Sequence, residues 1–103
     1  MTPTQRSLAA LKEQGYLPTV VERWNAFAKV RQDLWGWCDI LAIRKGEVLA
    51  VQVTSGSNVS ARIKKIQESE TIAKIREAGI RVEVHGWALG ANRRYVCRVV
   101  DIS

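Results

Sequence analysis

The sequence has no apolar run near the ~20 residues that a bilayer-crossing helix needs, no CxxC pair, and a single histidine, His85. The first absence, with a polar N-terminus Met-Thr-Pro-Thr-Gln-Arg that lacks a secretory apolar segment, argues against a membrane protein or an exported one and leads us to expect the cytoplasm. Only two cysteines occur, Cys38 and Cys97, both inside apolar stretches. They are expected to be buried, reduced thiols and not a disulfide or a zinc site. A lone His85 has no companion for a metal cluster or a catalytic dyad, so a hydrogen-bonded structural role is expected of it. Repeats, linkers and low-complexity tracts are also missing. A chain of 103 residues therefore reads as one domain, 1–103.

Positive charge, by contrast, is in excess. Sixteen Lys and Arg oppose ten Asp and Glu, a net charge of +6 on a short chain. A polyanionic partner follows naturally, because each phosphate contact releases condensed counterions.

The most informative stretch is Gly36 to Thr54. Residues 37–43 and 48–54 are rich in Val, Ile, Leu and Ala, and Lys45-Gly46 supplies turn chemistry between them, which predicts two strands of a hairpin. If the loop is Lys45-Gly46 alone, Arg44 faces Glu47, Leu41 faces Ala50, Asp39 faces Gln52 and Trp37 faces Thr54. Directly opposed side chains have Cβ atoms roughly 5 Å apart, so Asp39 and Gln52 bring side-chain oxygens together in an otherwise apolar hairpin. A buried carboxylate is costly unless paired, and a cation is one such partner. A hydrogen bond between the two side chains at the sheet margin is the other account of them.

These residues carry a resemblance. Gly36-Trp37-Cys38-Asp39 resembles the first motif of the PD-(D/E)XK nuclease superfamily, with Cys38 where many members have Pro. Gln52-Val53-Thr54 resembles the (D/E)XK tripeptide, with Gln for the acid and Thr for the Lys. Within the superfamily the chain looks most like virus-type replication-repair nucleases and archaeal-type Holliday-junction resolvases. The resemblance implies an α+β, restriction-endonuclease-like αβββαβ core with a mixed central sheet flanked by helices, a metal-dependent DNA endonuclease with branched or junction DNA among its expected substrates, and a homodimer. In such a protein the tripeptide's Lys positions the attacking water, a charge that Thr54 cannot carry. Arg62 or Lys65 on the following helix are the nearest candidates to replace it.

The order of elements runs the same way. Thr2-Pro3-Thr4-Gln5 predicts a helix start with Thr2 as N-cap and Gln5 closing a capping box, Leu8 and Leu11 facing the core, and Gly15 ending the helix. Tyr16 to Trp24 predicts a strand that Pro18 makes irregular or places at an edge, with Glu22 on it. A short strand is expected within 25–32. Asp33 is positioned to bend back towards Asp39. Ser55-Gly56-Ser57-Asn58 offers two N-caps to a helix carrying Val59, Ile63 and Ile66, whose stripe breaks near Ser69 and resumes until Gly79. Strands follow from Val82 to about Trp87 and from Tyr95 to Ile102, with a turn at Gly90-Ala91-Asn92.

Hydrolysing a phosphodiester requires an activated water, neutralised charge on phosphorus and help for the leaving oxygen, which Mg2+ or Mn2+ supplies. Mg2+ takes oxygen ligands and keeps several waters. Asp39, the Gln52 amide oxygen and the Val53 carbonyl form the expected set, with Asp33 or Glu22 as further carboxylates. DNA contacts are expected from Arg31, Ser57, Asn58, Arg62, Lys64, Lys65, Arg93 and Arg94. Trp24, Trp35, Trp37 and Trp87 are by default core residues, although Trp35 and Trp37 could line a dimer seam or stack on a base. Three readings stay open: an active endonuclease, a nuclease-like DNA-binding subunit without catalysis, and a basic α+β module for protein or RNA.

Overall fold

The computed structural model describes all 103 residues. Helix α1 (Pro3–Glu13) starts as its first residues dictate: the Gln5 N–H donates to Thr2 Oγ1, the Thr2 N–H donates to Gln5 Oε1, and Pro3 occupies the first turn. Strand β1 (Leu17–Val20) follows, then a separate two-stranded ribbon, β2 (Arg23–Asn25) and β3 (Val30–Gln32). Next come β4 (Ile40–Arg44), β5 (Glu47–Ser55), a 3-10 turn at Gly56–Asn58, α2 (Val59–Gln67), α3 (Ile72–Glu77), β6 (Arg81–Leu89), a 3-10 turn at Ala91–Arg93, and β7 (Tyr95–Asp101). The main sheet is ordered β1-β4-β5-β6-β7, with β5 and β6 parallel and the other pairs antiparallel. This is an α+β fold with a mixed five-stranded sheet flanked by helices.

Helices cover both faces because the strands alternate. Ile40, Ala42, Leu49 and Val51 face α1 and pack with Leu11 and Tyr16. Ala50, Val82 and Val84 face the other way, into a core with Val59, Ile66, Ile72 and Ile75 from α2 and α3. The approach on that side is close. A Cβ on Gly86 would lie 2.2 Å from Val59 Cγ2, so only glycine lets α2 seat on β6. The chain breaks between α2 and α3 at residues 68–71, where the apolar stripe lapses, and no helix is long and apolar enough to cross a membrane.

The β4–β5 register is the expected one, from Arg44 opposite Glu47 to Ile40 opposite Val51. Three expectations fail nearby. The first strand of the hairpin begins at Ile40, not Trp37, because Leu34 to Cys38 close a tight turn in which Trp35 (φ 58) and Gly36 (φ 79) take left-handed backbone. Trp37 therefore does not face Thr54. Its ring is buried and its Nε1–H donates to Thr71 Oγ1 at 3.1 Å. Trp35 packs on it, with ring centroids 6.0 Å apart, but stays half-buried. Neither Ser55 nor Asn58 makes a side-chain cap, since the 3-10 turn reaches α2 without one. Finally, residues 16–32 are not two successive strands. Leu17 and Val20, apolar but exposed, lie on the edge strand β1, and 23–32 fold back as the ribbon.

Candidate metal centre

The chain leaves the main sheet after β1, makes the ribbon and the tight turn, and re-enters at Ile40. An acidic residue marks each junction: Glu22 at the departure, Asp33 where the ribbon returns, and Asp39 at the re-entry, held by the Asp39 N–H donating to the Val51 carbonyl at 2.9 Å. The Val21 N–H donates to the Asp39 carbonyl at 2.9 Å and draws the end of β1 to the same point. One oxygen from each of the three carboxylates lies within 4.8 Å of the others.

Gln52, on β5, reaches the same place. Its Nε2 donates to Asp39 Oδ2 at 2.8 Å and to the Val53 carbonyl at 3.2 Å, and Asp39 Oδ2 also accepts the Val53 N–H at 2.7 Å. Asp39 is 5% exposed and Gln52 is 3% exposed. Removing an ionised carboxylate from water costs several kcal/mol, and no basic group lies within ion-pairing distance of Asp39 or Asp33; Glu22 alone has one, Arg31 at 3.6 Å. The consequence falls on Asp39, whose carboxyl is pushed up to about 7, chiefly by burial and then by the charges of Asp33 and Glu22, against the Val53 hydrogen bond that favours the ionised form.

A second anomaly adjoins it. Gln52 Oε1 is the single buried side-chain polar atom without a hydrogen-bond partner, an arrangement that costs about 1–3 kcal/mol. The amide therefore spends both N–H bonds on two oxygens while its own oxygen is unsatisfied. Asp39 Oδ2, the Val53 carbonyl and the far end of Gln52 meet within hydrogen-bonding distance, so an amide turned over would place three oxygens together. That arrangement is repulsive unless a cation or a proton lies among them. The donor set is all oxygen and suits a hard divalent ion; the orphaned Oε1 and the raised Asp39 carboxyl both fit such an ion.

Glu22 and Asp33 line a cleft of about 870 Å³ together with Arg23, Arg31, Trp35 and Lys65, whereas Asp39, Gln52 and Val53 do not line it, and Asp39 and Gln52 are buried. Of the two cations expected to stand in for the missing Lys, Lys65 lines this cleft and Arg62 does not. Arg31 lines it as well. Thr54 is 8% exposed, makes no side-chain hydrogen bond and does not line the cleft. Ser57 and Asn58 are exposed on the 3-10 turn after β5, Lys64 is exposed on α2, and Arg93 and Arg94 are exposed between β6 and β7. None of these five lines the cleft. Arg23 and Gln32 on the cleft wall were not anticipated, since nothing in their immediate sequence says that the ribbon folds back beside the acids.

The chain matches no protein-family model, no curated protein and no solved structure.

Proposed function

We propose that this protein is a divalent-cation-dependent endonuclease acting on DNA. The observation that carries the reading is the convergence of Asp39, the orphaned amide of Gln52 and the Val53 carbonyl with Glu22 and Asp33 beside a cleft that also presents Arg31 and Lys65. The arrangement follows the Asp and Gln-x-Thr pattern that resembles the PD-(D/E)XK nucleases, and Glu22 and Asp33 compensate the charge that Gln52 does not bring.

Asp39, Gln52 and Val53 would hold the ion, with Glu22 and Asp33 completing its oxygen surroundings. A bound Mg2+ or Mn2+ supplies an activated water and neutralises charge on the phosphate. Around it, the protein's own groups divide the remaining work. Arg31 and Lys65 attract the phosphate to a cleft that its acids alone would repel, and Lys65 offsets the charge that grows on the phosphoryl oxygens. Glu22, paired at 3.6 Å with the exposed Arg31, keeps that cation at the mouth of the cleft. The Val53 N–H fixes one Asp39 oxygen, so the carboxylate meets its ligand already oriented.

The test is cleavage of linear and branched DNA by purified protein with Mg2+, Mn2+ or Ca2+, beside Asp39→Ala. Cutting with Mg2+ or Mn2+ that vanishes in the variant, while salt-sensitive DNA binding survives, is the expected result. Binding without cutting under any metal would favour the non-catalytic DNA-binding reading, for which the neutral Thr54 is the supporting feature. No DNA retention at moderate salt would reject both.

A further inference from the structure

We infer that the β2–β3 ribbon is an arm that stacks on bases at a break in duplex DNA and feeds the adjoining phosphate into the acidic cleft. The inference rests on the nuclease reading for its choice of DNA, and it adds the means by which the substrate is engaged. The ribbon pairs only Arg23 with Gln32, Trp24 with Arg31 and Asn25 with Val30. A two-stranded ribbon of this size is marginal in water by itself, yet its tip is built with care. Asn25 Oδ1 accepts the N–H groups of both Phe27 and Ala28 at 3.0 Å, and Lys29 takes left-handed backbone at φ 54 to close the turn.

What this turn displays is Phe27, 99% exposed, with Trp24 58% exposed on the ribbon's side. Leaving a phenyl ring wholly in water forgoes one of the larger burial gains available to a small domain, so the residue is explained best by a flat apolar partner. Charge identifies the partner's chemistry. Between Arg23 and Gln32 the ribbon carries Arg23, Lys29 and Arg31 and no acid at all. Aromatic faces interleaved with cations are the combination that stacks on bases while tracking a phosphate backbone. Arg23 and Arg31 also line the cleft, so one strand can run from the tip along these cations towards the acids. The roots of the ribbon complete the argument: Glu22 immediately precedes β2 and Asp33 immediately follows β3. Seating the ribbon on a strand therefore fixes two of the three carboxylates relative to the phosphate beside it. Bases in continuous duplex are already stacked, and a ring such as Phe27 gains most where a step is open.

The experiment uses the full chain in EDTA, so that binding is read without cutting. The probe is a three-way DNA junction carrying 2-aminopurine at the branch, compared with linear duplex of the same length. Wild-type protein is expected to quench 2-aminopurine emission severalfold as the ring stacks on the open base. Phe27→Ala should abolish that quenching and weaken junction binding about tenfold, the size expected of one lost base stack, with linear duplex binding changed less than twofold. Trp24→Ala should give a smaller loss in the same direction, and circular dichroism should show both variants folded. Three results would overturn the proposal: unchanged emission and affinity in both variants; loss of a wild-type dimer in sedimentation on Phe27→Ala with DNA binding intact, which would make the ribbon a self-association arm; or binding to phosphatidylserine vesicles that Phe27→Ala removes while DNA binding stays. Cutting is scored separately in Mg2+. An intact emission response with no cleavage by any form would reject the nuclease reading and leave the arm in place.

Discussion

Two polar clusters occupy opposite faces of the same sheet, and they are finished to different degrees. On the α1 face, Trp87 Nε1–H donates to Ser7 Oγ at 2.8 Å, and Ser7 Oγ lies 3.0 Å from His85 Nδ1, whose Nε2 lies 3.0 Å from Glu83 Oε1. Because the Glu83 carboxylate can only accept, the neutral imidazole carries its proton on Nε2, and the Ser7 hydroxyl, which accepts from the indole, donates to Nδ1. The network continues through Arg81, which donates to Glu83, Asp101 and Glu47, while Glu47 accepts from Tyr16 and Arg44 as well. Each of these groups has a partner of the right kind. On the other face, only one of three carboxylates has a cation, Arg31 at 3.6 Å from Glu22, and an amide oxygen has no partner. Polar groups that close on themselves hold a structure together, whereas a buried set left short of positive charge is shaped for something that arrives later. Ser7–His85–Glu83 has the residue types of a hydrolytic triad, but the full burial of Ser7 makes it a staple joining α1 to β6.

The largest expected effect lies on the unfinished side. Asp39→Ala should lower cleavage by at least ~10³-fold, since metal assistance is worth several kcal/mol at ~1.4 kcal/mol per decade. Asp39→Asn should leave the metal-free protein at least as stable as wild type above pH 7, because it removes an uncompensated buried charge and keeps an oxygen that accepts from Gln52 Nε2 and the Val53 N–H. Rate assays on the first variant and thermal melts on the second check both. Ser7→Ala should behave in the opposite way. It strands the Trp87 N–H and His85 Nδ1, which should cost ~2 kcal/mol and lower Tm by ~8–16 °C, with cation binding untouched.

How far the two clusters could be read in advance follows from the range of their contacts. The capping box of α1, the Lys45-Gly46 hairpin and hence the meeting of Asp39 with Gln52 depend on neighbours a few positions apart or on a strict strand period, and the sequence carries them openly. The approach of Asp33 was legible for the same reason. Left-handed backbone at Trp35 was not, because no glycine or asparagine announces it there. Reading Trp37 as strand followed, since an aromatic beside Ile40 and Leu41 looks the same in either state. Ser7 sat among leucines and alanines on a helix and gave no sign that it would meet His85 and Trp87, residues that only the parallel β5–β6 pairing carries to α1. Glu22, like Asp33, was legible as a further carboxylate; what the sequence did not show is that residues 23–32 fold back as a ribbon between the two.

Acid and base sharpen the contrast with smaller effects of opposite sign. Asp39 has its folded value raised to about 7, so stability is fully present below its ordinary value near 4 and is lost as pH rises from there through 7. Asp101, across the sheet, is lowered to about 2 by hydrogen bonds from Ser103 and then by Arg81. Its contribution is present above pH 4 and fades as pH falls towards 2. It is modest, because the side chain is half exposed. Thermal melts without metal should therefore fall between pH 5 and 7 and level off above, with the decline absent in Asp39→Asn and an acid-side decline reduced in Asp101→Asn. The smallest effect is expected of Gln52→Glu. A fourth carboxylate should tighten Mn2+ binding about tenfold, the scale of one pKa unit of electrostatic work, while lowering the melting temperature of the metal-free protein.

The measurement that bears most directly on the contrast is the melting temperature at pH 8 with and without millimolar Mn2+, for wild type and Asp39→Asn. A rise of several degrees in wild type, with none in the variant, is the result predicted for carboxylates that lack their cation. Equal melting temperatures with and without Mn2+, or an equal rise in both proteins, would contradict it.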